Sequence, residues 1–420
     1  MLFSTPFIRT VQTLLAASAL ALTACAGGGT PEPEGGEPEA SEPEVSEPET
    51  SEPDVGDDFE PALLEEFRAV IPSAEVLESP APQATVNAQI GNPATYPALA
   101  APQIIAVNQT VRGLVDTLGA ITDLPPTLYN SEEREFLWGP FDNDDSPIEG
   151  DKVLVYIKDA PDGADFDYHY AFIRTMGNDV ADWTAVIWGG ANPDADDPDH
   201  YGNGVVLYDF EANADFATTH NADVTRDMLH QGRFAIAYMR GPGDGNEPHD
   251  VTAVVSTFRN FAGPGDEPID FEQLYGNVHN LENDDRVEFV DIQTEADVHE
   301  GEEGNEANED ISLRLAFYNR GIGRAEAIVT GGDLVSDTGE SEASAVECWD
   351  DVLARSYFTF DVSGEAAGGE DSVNILTEGT SDMCGHFEST LDELGIPGMA
   401  DLDQGLLDGL SEVAENGIGD

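Results

Sequence analysis

From residue 152 to residue 377 the chain repeats one pattern, short runs of alternating apolar and polar residues separated by Gly, Pro, Asn and Asp. A period of two puts successive side chains on opposite faces of a strand, and the separators are the residues that turns require. The runs 152–158 (KVLVYIK), 166–174, 182–188, 204–210, 233–240 and 251–258 read as strands, and so do 286–293, 311–319, 324–330, 355–362 and 372–377. No helical crossovers separate them, which argues against a parallel α/β core. The expected fold is mainly β, a large antiparallel curved sheet or barrel of about eleven strands. In ISLRLAFYN, Ile311, Leu313, Leu315 and Phe317 face one way while Ser312, Arg314 and Tyr318 face the other.

Amphipathic helices flank this region. Leu63, Leu64, Phe67, Val70 and Ile71 recur at helical spacing after Pro61, and Pro72 closes the run. A loop rich in Pro and Ala follows, to about Leu99. Ile104, Val107, Val111, Leu114, Val115, Leu118 and Ile121 then form one apolar stripe, expected to start after Pro102 and to stop at Pro125-Pro126. Met399, Leu402, Leu406, Leu410 and Val413 predict a last helix, weakened by Gly405 and Gly409. The acidic stretch 295–310 has no periodicity and reads as a mobile loop. Residues 59–420 are therefore expected to form one helix-flanked β domain.

The N-terminus carries a different kind of signal. Arg9 precedes the apolar run Leu14 to Leu22, too short for a membrane-spanning helix of about 20 residues but suited to a secretory signal peptide. Leu22-Thr23-Ala24-Cys25 resembles the lipobox of bacterial lipoproteins, in which a small residue precedes an invariant cysteine. The resemblance implies a signal peptide over 1–24, cleavage before Cys25 and lipidation of its thiol, with two or three acyl chains giving firm membrane anchoring. By the same analogy Ala26, rather than Asp, after the cysteine favours the outer membrane. Residues 25–58 follow, and within them the unit Glu-Pro-Glu/Asp-x-Ser/Gly recurs every five residues from Glu37 to Gly56, a proline-paced acidic composition that prevents a core and predicts a disordered, extended spacer.

Cys348 and Cys384 are the thiols left once Cys25 is modified. In an exported chain that pair is expected to form a disulfide. The run GIGRAEAIVTGGDL followed by ECWDD resembles uncharacterised bacterial lipoproteins, which implies no particular activity.

The charge limits the partners. There are 85 Asp and Glu against 16 Lys and Arg, a formal net charge of −69, and residues 26–58 hold only 12 of those acids. Nucleic acid is excluded as a direct partner by repulsion. The membrane is reached through the anchor, and a protein of the envelope is a further possible partner. The acidity fits a saline habitat, where screening relieves self-repulsion, and it also fits cation binding. For calcium, the loop NPDADDPDH offers Asp194, Asp196, Asp197 and Asp199 beside Asn192, with DNDDSPIEGD at 142–151 as the weaker alternative.

No nucleophile elbow, phosphate loop or HExxH zinc motif occurs, so no catalytic residue and no cofactor beyond possible calcium is nominated. Phe166, Tyr168, Tyr170 and Phe172 share one strand face and could line a cavity; Trp183 and Trp188 are expected on the next strand, on opposite faces. The expected function is a lipid-anchored lipoprotein with a structural or binding role at the cell envelope. Two alternatives stay open: a carrier of an apolar ligand in an open β-barrel, and a carboxylate-based envelope hydrolase.

Overall fold

The structure is a computed structural model and describes residues 61–73, 77, 93–132, 134–144, 146–160, 164–194, 197, 201–242, 249–280, 285–296, 307–319, 321–332, 334, 340–364, 369–402 and 404–416. The signal sequence, Cys25 and the spacer lie outside the described residues, as does the centre of the acidic stretch, 297–306.

Among the described residues there are four α-helices: α1 (Pro61–Arg68), α2 (Tyr96–Thr122), α3 (Phe210–His220) and α4 (Gln404–Asn416). Before α3 come β1 (Leu128–Asn130), β2 (Glu135–Asp142), β3 (Lys152–Asp159), β4 (Tyr168–Thr175), β5 (Thr184–Pro193) and β6 (Gly202–Asp209). After it come β7 (Gln231–Pro242), β8 (His249–Ala262), β9 (Ile269–Asn280), β10 (Arg286–Ala296), β11 (Glu309–Tyr318), β12 (Gly323–Thr330), β13 (Glu340–Trp349), β14 (Arg355–Gly364) and β15 (Gly369–Glu378). All fifteen form a single sheet in sequence order, each strand antiparallel to its chain neighbours, with β1 and β15 at open ends.

The mainly β, antiparallel class therefore holds, with four more strands than the expected eleven. Each of the four breaks the alternation for a local reason. β1 has three residues, and β2 carries Gly139-Pro140, where its register against β3 shifts. β9 puts Gln273, 1% exposed, on the inner face between Phe271 and Tyr275, and it needs Gly276 because the Phe289 ring lies where a Cβ would be. β13 turns Ala343, Ala345 and the carboxylate of Glu347 inward instead of large apolar groups.

The sheet curls around α2. One apolar cluster joins Phe67 of α1, the α2 residues Ile104, Val107, Val111, Leu114 and Leu118, and inward side chains of strands from β2 to β14. Burying an aliphatic or aromatic side chain stabilises by about 1.5–3 kcal/mol, so this enclosed helix is a large part of what holds the sheet curved.

α2 departs from its expected start. It begins at Tyr96, six residues before Pro102, which sits inside the helix. Proline there removes the hydrogen bond to the Ala98 carbonyl, but Ala98 is exposed to water, while Tyr96, Ala100 and Ala101 are buried and repay the extension. Its ends are held from elsewhere in the chain. Glu347 Oε2 accepts from the N–H groups of Thr95 and Tyr96 at 2.7 and 2.8 Å. Arg68 donates to the Thr122, Asp123 and Leu124 carbonyls at 2.9–3.3 Å. An acid at the N-terminus and a base at the C-terminus both complement the helix dipole.

The outer face of β6–β13 is covered by the C-terminal segment. Leu207, Ala235, Val255, Leu274 and Phe289 of the sheet pack with Phe387, Leu391, Met399, Leu410 and Ala414. Cys348 on β13 is disulfide-bonded to Cys384, with Cα atoms 5.3 Å apart. The expected last helix is shorter than its apolar pattern: Met399 is buried in a separate 3-10 turn, Met399–Asp401, where its N–H donates to Asp291 at 2.7 Å, and α4 begins at Gln404. The polar side of β11, that of Ser312 and Arg314, is thus partly covered, Arg314 donating to Asp392 at 2.6 Å and to the Ile396 carbonyl at 2.8 Å.

Candidate ligand-binding cleft

The apolar filling around α2 is incomplete on one side. Between α2 and strands β4–β8 an open cleft of about 620 Å³ remains, within the size range of small-molecule sites. Gln109, Gly113 and Thr117, four residues apart and therefore on one helix face, form its exposed rim. Phe172, Ile187, Phe258 and Phe261 form buried walls, and Tyr208 stacks on Phe210 at 4.0 Å.

One end is polar. Arg174 enters from the inner face of β4, where period two would call for an apolar residue, and its Nη2 pairs with the fully buried Asp151 carboxylate at 2.5 Å. Arg174 also donates to Asn213 Oδ1 at 2.7 Å and to Ser146 Oγ at 3.3 Å, and it lies over the Phe216 ring at 4.5 Å. Two capped elements position these groups. Asp209 accepts from Ala212 N–H at 2.8 Å and so starts α3, which carries Phe210 and Asn213. The β2–β3 connection is tied down by Asn143 Nδ2 donating to Asp151 at 2.9 Å and by Asn221 Nδ2 donating to the Pro147 carbonyl at 3.1 Å.

His230 also lines the cleft, stacked at 6.0 Å on Phe261. Its Nδ1 is buried with no hydrogen-bond partner among the described residues. Burial pushes its pKa below the ordinary histidine value, with Asp266 opposing, so the ring is neutral at pH 7. Burial likewise pushes the Tyr208 phenol up, Arg174 opposing. Among the described residues the lining contains no Asp or Glu, so none of them forms a carboxylate pair of the kind used in glycoside hydrolysis.

A depressed histidine pKa has a defined sign in stability. Between the lowered folded value and about 6.5 the unfolded chain binds more protons than the folded one, so the His230 contribution is intact above that window and is lost as pH falls through it. His230→Gln is expected to lose stability less steeply than wild type below pH ~6.5. Urea midpoints at several pH values check this, and parallel curves would contradict it.

The residues singled out from the sequence are dispersed. Asp194 Oδ1 accepts the Asp197 N–H at 3.0 Å, Asn192 is engaged by Asp165, Asp167 and Asn203, and Asp196 and Asp199 lie outside the described residues. Among the described residues no group of three or more His, Cys, Asp or Glu is placed to hold a metal ion. Of the four aromatics around β4, Phe172 reaches the cleft; Phe166 covers Gly190, Tyr170 covers Gly189, and Tyr168 donates to Glu66 at 2.5 Å.

The tryptophans require a correction: Trp183 precedes β5, and both Trp183 and Trp188 lie in one outer cluster with Leu154, Ala171 and Ile173. A register shift between Phe172 and Ile173, opposite Ile187 and Ala185, leaves Val186 as an extra residue and inverts the alternation.

Sequence reasoning missed Gly113, Arg174, Asn213 and His230. Two signals were available, an arginine within the apolar run of β4 and a glycine inside a long helix, where it costs roughly 1 kcal/mol relative to alanine. A Cβ built on Gly113 meets nothing within 4 Å. A smaller recess of about 400 Å³ over β8–β12 gathers Asp270, Glu272, Glu295 and Asp310, with Arg259 paired to Glu272.

No family model, curated protein or solved structure matches the chain. The cleft is therefore read from its own geometry. No helix among the described residues is long and apolar enough to cross a membrane.

Proposed function

We propose that this chain is a lipid-anchored lipoprotein of the cell envelope that binds a small amphipathic molecule in the cleft beside α2. The observation that carries the reading is an open volume of about 620 Å³, walled by aromatic rings and closed at one end by Arg174, Asn213 and Ser146. The lipobox around Cys25 and the acidic spacer support display away from a membrane surface, by analogy the outer membrane.

The test is co-purification. The full lipoprotein, extracted from its own envelope in detergent and high salt, is expected to retain a small molecule detected by native mass spectrometry. Gly113→Phe fills the cleft and is expected to lose it, while Gly113→Ala keeps it and raises stability by about 1 kcal/mol. Equal small-molecule content in the two variants would remove the binding reading and leave a structural role.

A further inference from the structure

We infer that the cleft takes an uncharged amphiphile, with a ring or alkyl body and a hydrogen-bonding head, and this rests on the binding reading above. Among the described residues of the lining Arg174 is the one ionised side chain, and Asp151, with a fully buried side chain, pairs with it at 2.5 Å. The charge presented to an occupant is therefore already matched. An anionic head would have to be desolvated against a neutralised arginine, inside a chain of formal charge −69 that repels it. A cationic head finds no carboxylate among the described residues of the lining, and it meets the guanidinium of Arg174 there.

The remaining polar groups suit a neutral head: Asn143, Ser146 and Asn213 supply amide and hydroxyl groups at the Arg174 end. The body would lie against Phe172, Tyr208 and Phe258.

Two fluorescent probes built on one ring system test the class. N-phenyl-1-naphthylamine is uncharged, and 8-anilinonaphthalene-1-sulfonate adds one sulfonate. They are titrated into the full chain carrying Cys25→Ser, which removes the lipidation nucleophile and hence the need for detergent. The uncharged dye is expected to bind, and the sulfonate to bind at least about tenfold more weakly because of desolvation. The gap is expected to persist at about 1 M salt, where the Debye length falls to about 3 Å and the long-range field is screened. Gly113→Phe, or Thr117→Phe should the first variant misfold by circular dichroism, is expected to abolish uncharged-dye binding, with Gly113→Ala retaining it.

Sulfonate binding equal to or tighter than that of the uncharged dye at high salt, still blocked by Gly113→Phe, would overturn the uncharged class and keep the cleft. Tighter binding of a trimethylammonium derivative of the same rings would overturn it in the other direction. If neither dye binds, or binding survives both cleft-filling variants, the binding reading falls and the ligand class falls with it.

Discussion

Cys384→Ser is expected to lower unfolding stability by about 4 kcal/mol, from the loop-entropy relation applied to a sequence separation of 36 residues. The bond does more than close a loop, because it fastens the start of the C-terminal segment to β13, and that segment covers the outer faces of β6–β13. Without it, Phe387, Leu391 and Met399 are held by packing and by a few polar contacts such as Asp291 with the Met399 N–H. The variant should be cut by protease within the C-terminal segment before the inner cluster around α2 is lost. Urea unfolding in high salt measures the first effect, and limited proteolysis followed by mass spectrometry measures the second. Wild type under reducing conditions is expected to match Cys348→Ser. A denaturation midpoint unchanged by either route would show that the segment is held without the covalent bond.

Glu347→Ala is expected to cost about 3–5 kcal/mol, the range found when one partner of a buried ion pair is removed. The Glu347 side chain is fully buried, and it accepts from Arg355 Nε at 2.6 Å as well as from the Thr95 and Tyr96 N–H groups. Truncation leaves the Arg355 guanidinium, 13% exposed, with the Thr95 hydroxyl at 2.6 Å and the distant Glu378 at 3.5 Å, and it leaves the first N–H groups of α2 without an acceptor. Glu347→Gln keeps an acceptor oxygen and is expected to lose about half as much. Since α2 forms one wall of the cleft, Glu347→Ala should also weaken the proposed binding there, although Glu347 is not among the described residues that line the cleft. Equal denaturation midpoints for Glu347→Ala and wild type would mean that packing alone fixes the start of α2.

How much of this was legible depends on the range of the interaction. The alternation in KVLVYIK and ISLRLAFYN is set by neighbours two residues apart and transfers directly to β3 and β11, as does the apolar stripe Ile104 to Ile121 to α2. Where β2 carries Gly-Pro, β5 carries an extra residue at Val186, or β13 turns Glu347 inward, the local pattern breaks for the sake of a partner elsewhere. The early start of α2 is the same case, with Pro102 tolerated because Tyr96 and Ala100 find buried places and Glu347 meets the helix end.

The sequence by itself determined the antiparallel, mainly β class, the enclosed helix stripe, the strongly acidic surface and the cysteines available for pairing. Each follows from composition or from spacing within a few residues. The tertiary structure alone decided that the strands form one fifteen-membered sheet curled around α2, that acid and base from β13 and α1 hold the two ends of that helix, and that a cleft stays open beside Gly113. The physical reason is distance along the chain. Glu347 and Thr95 are 252 residues apart, and a cavity is the residue of packing among α2, four strands and a loop, which no local period records.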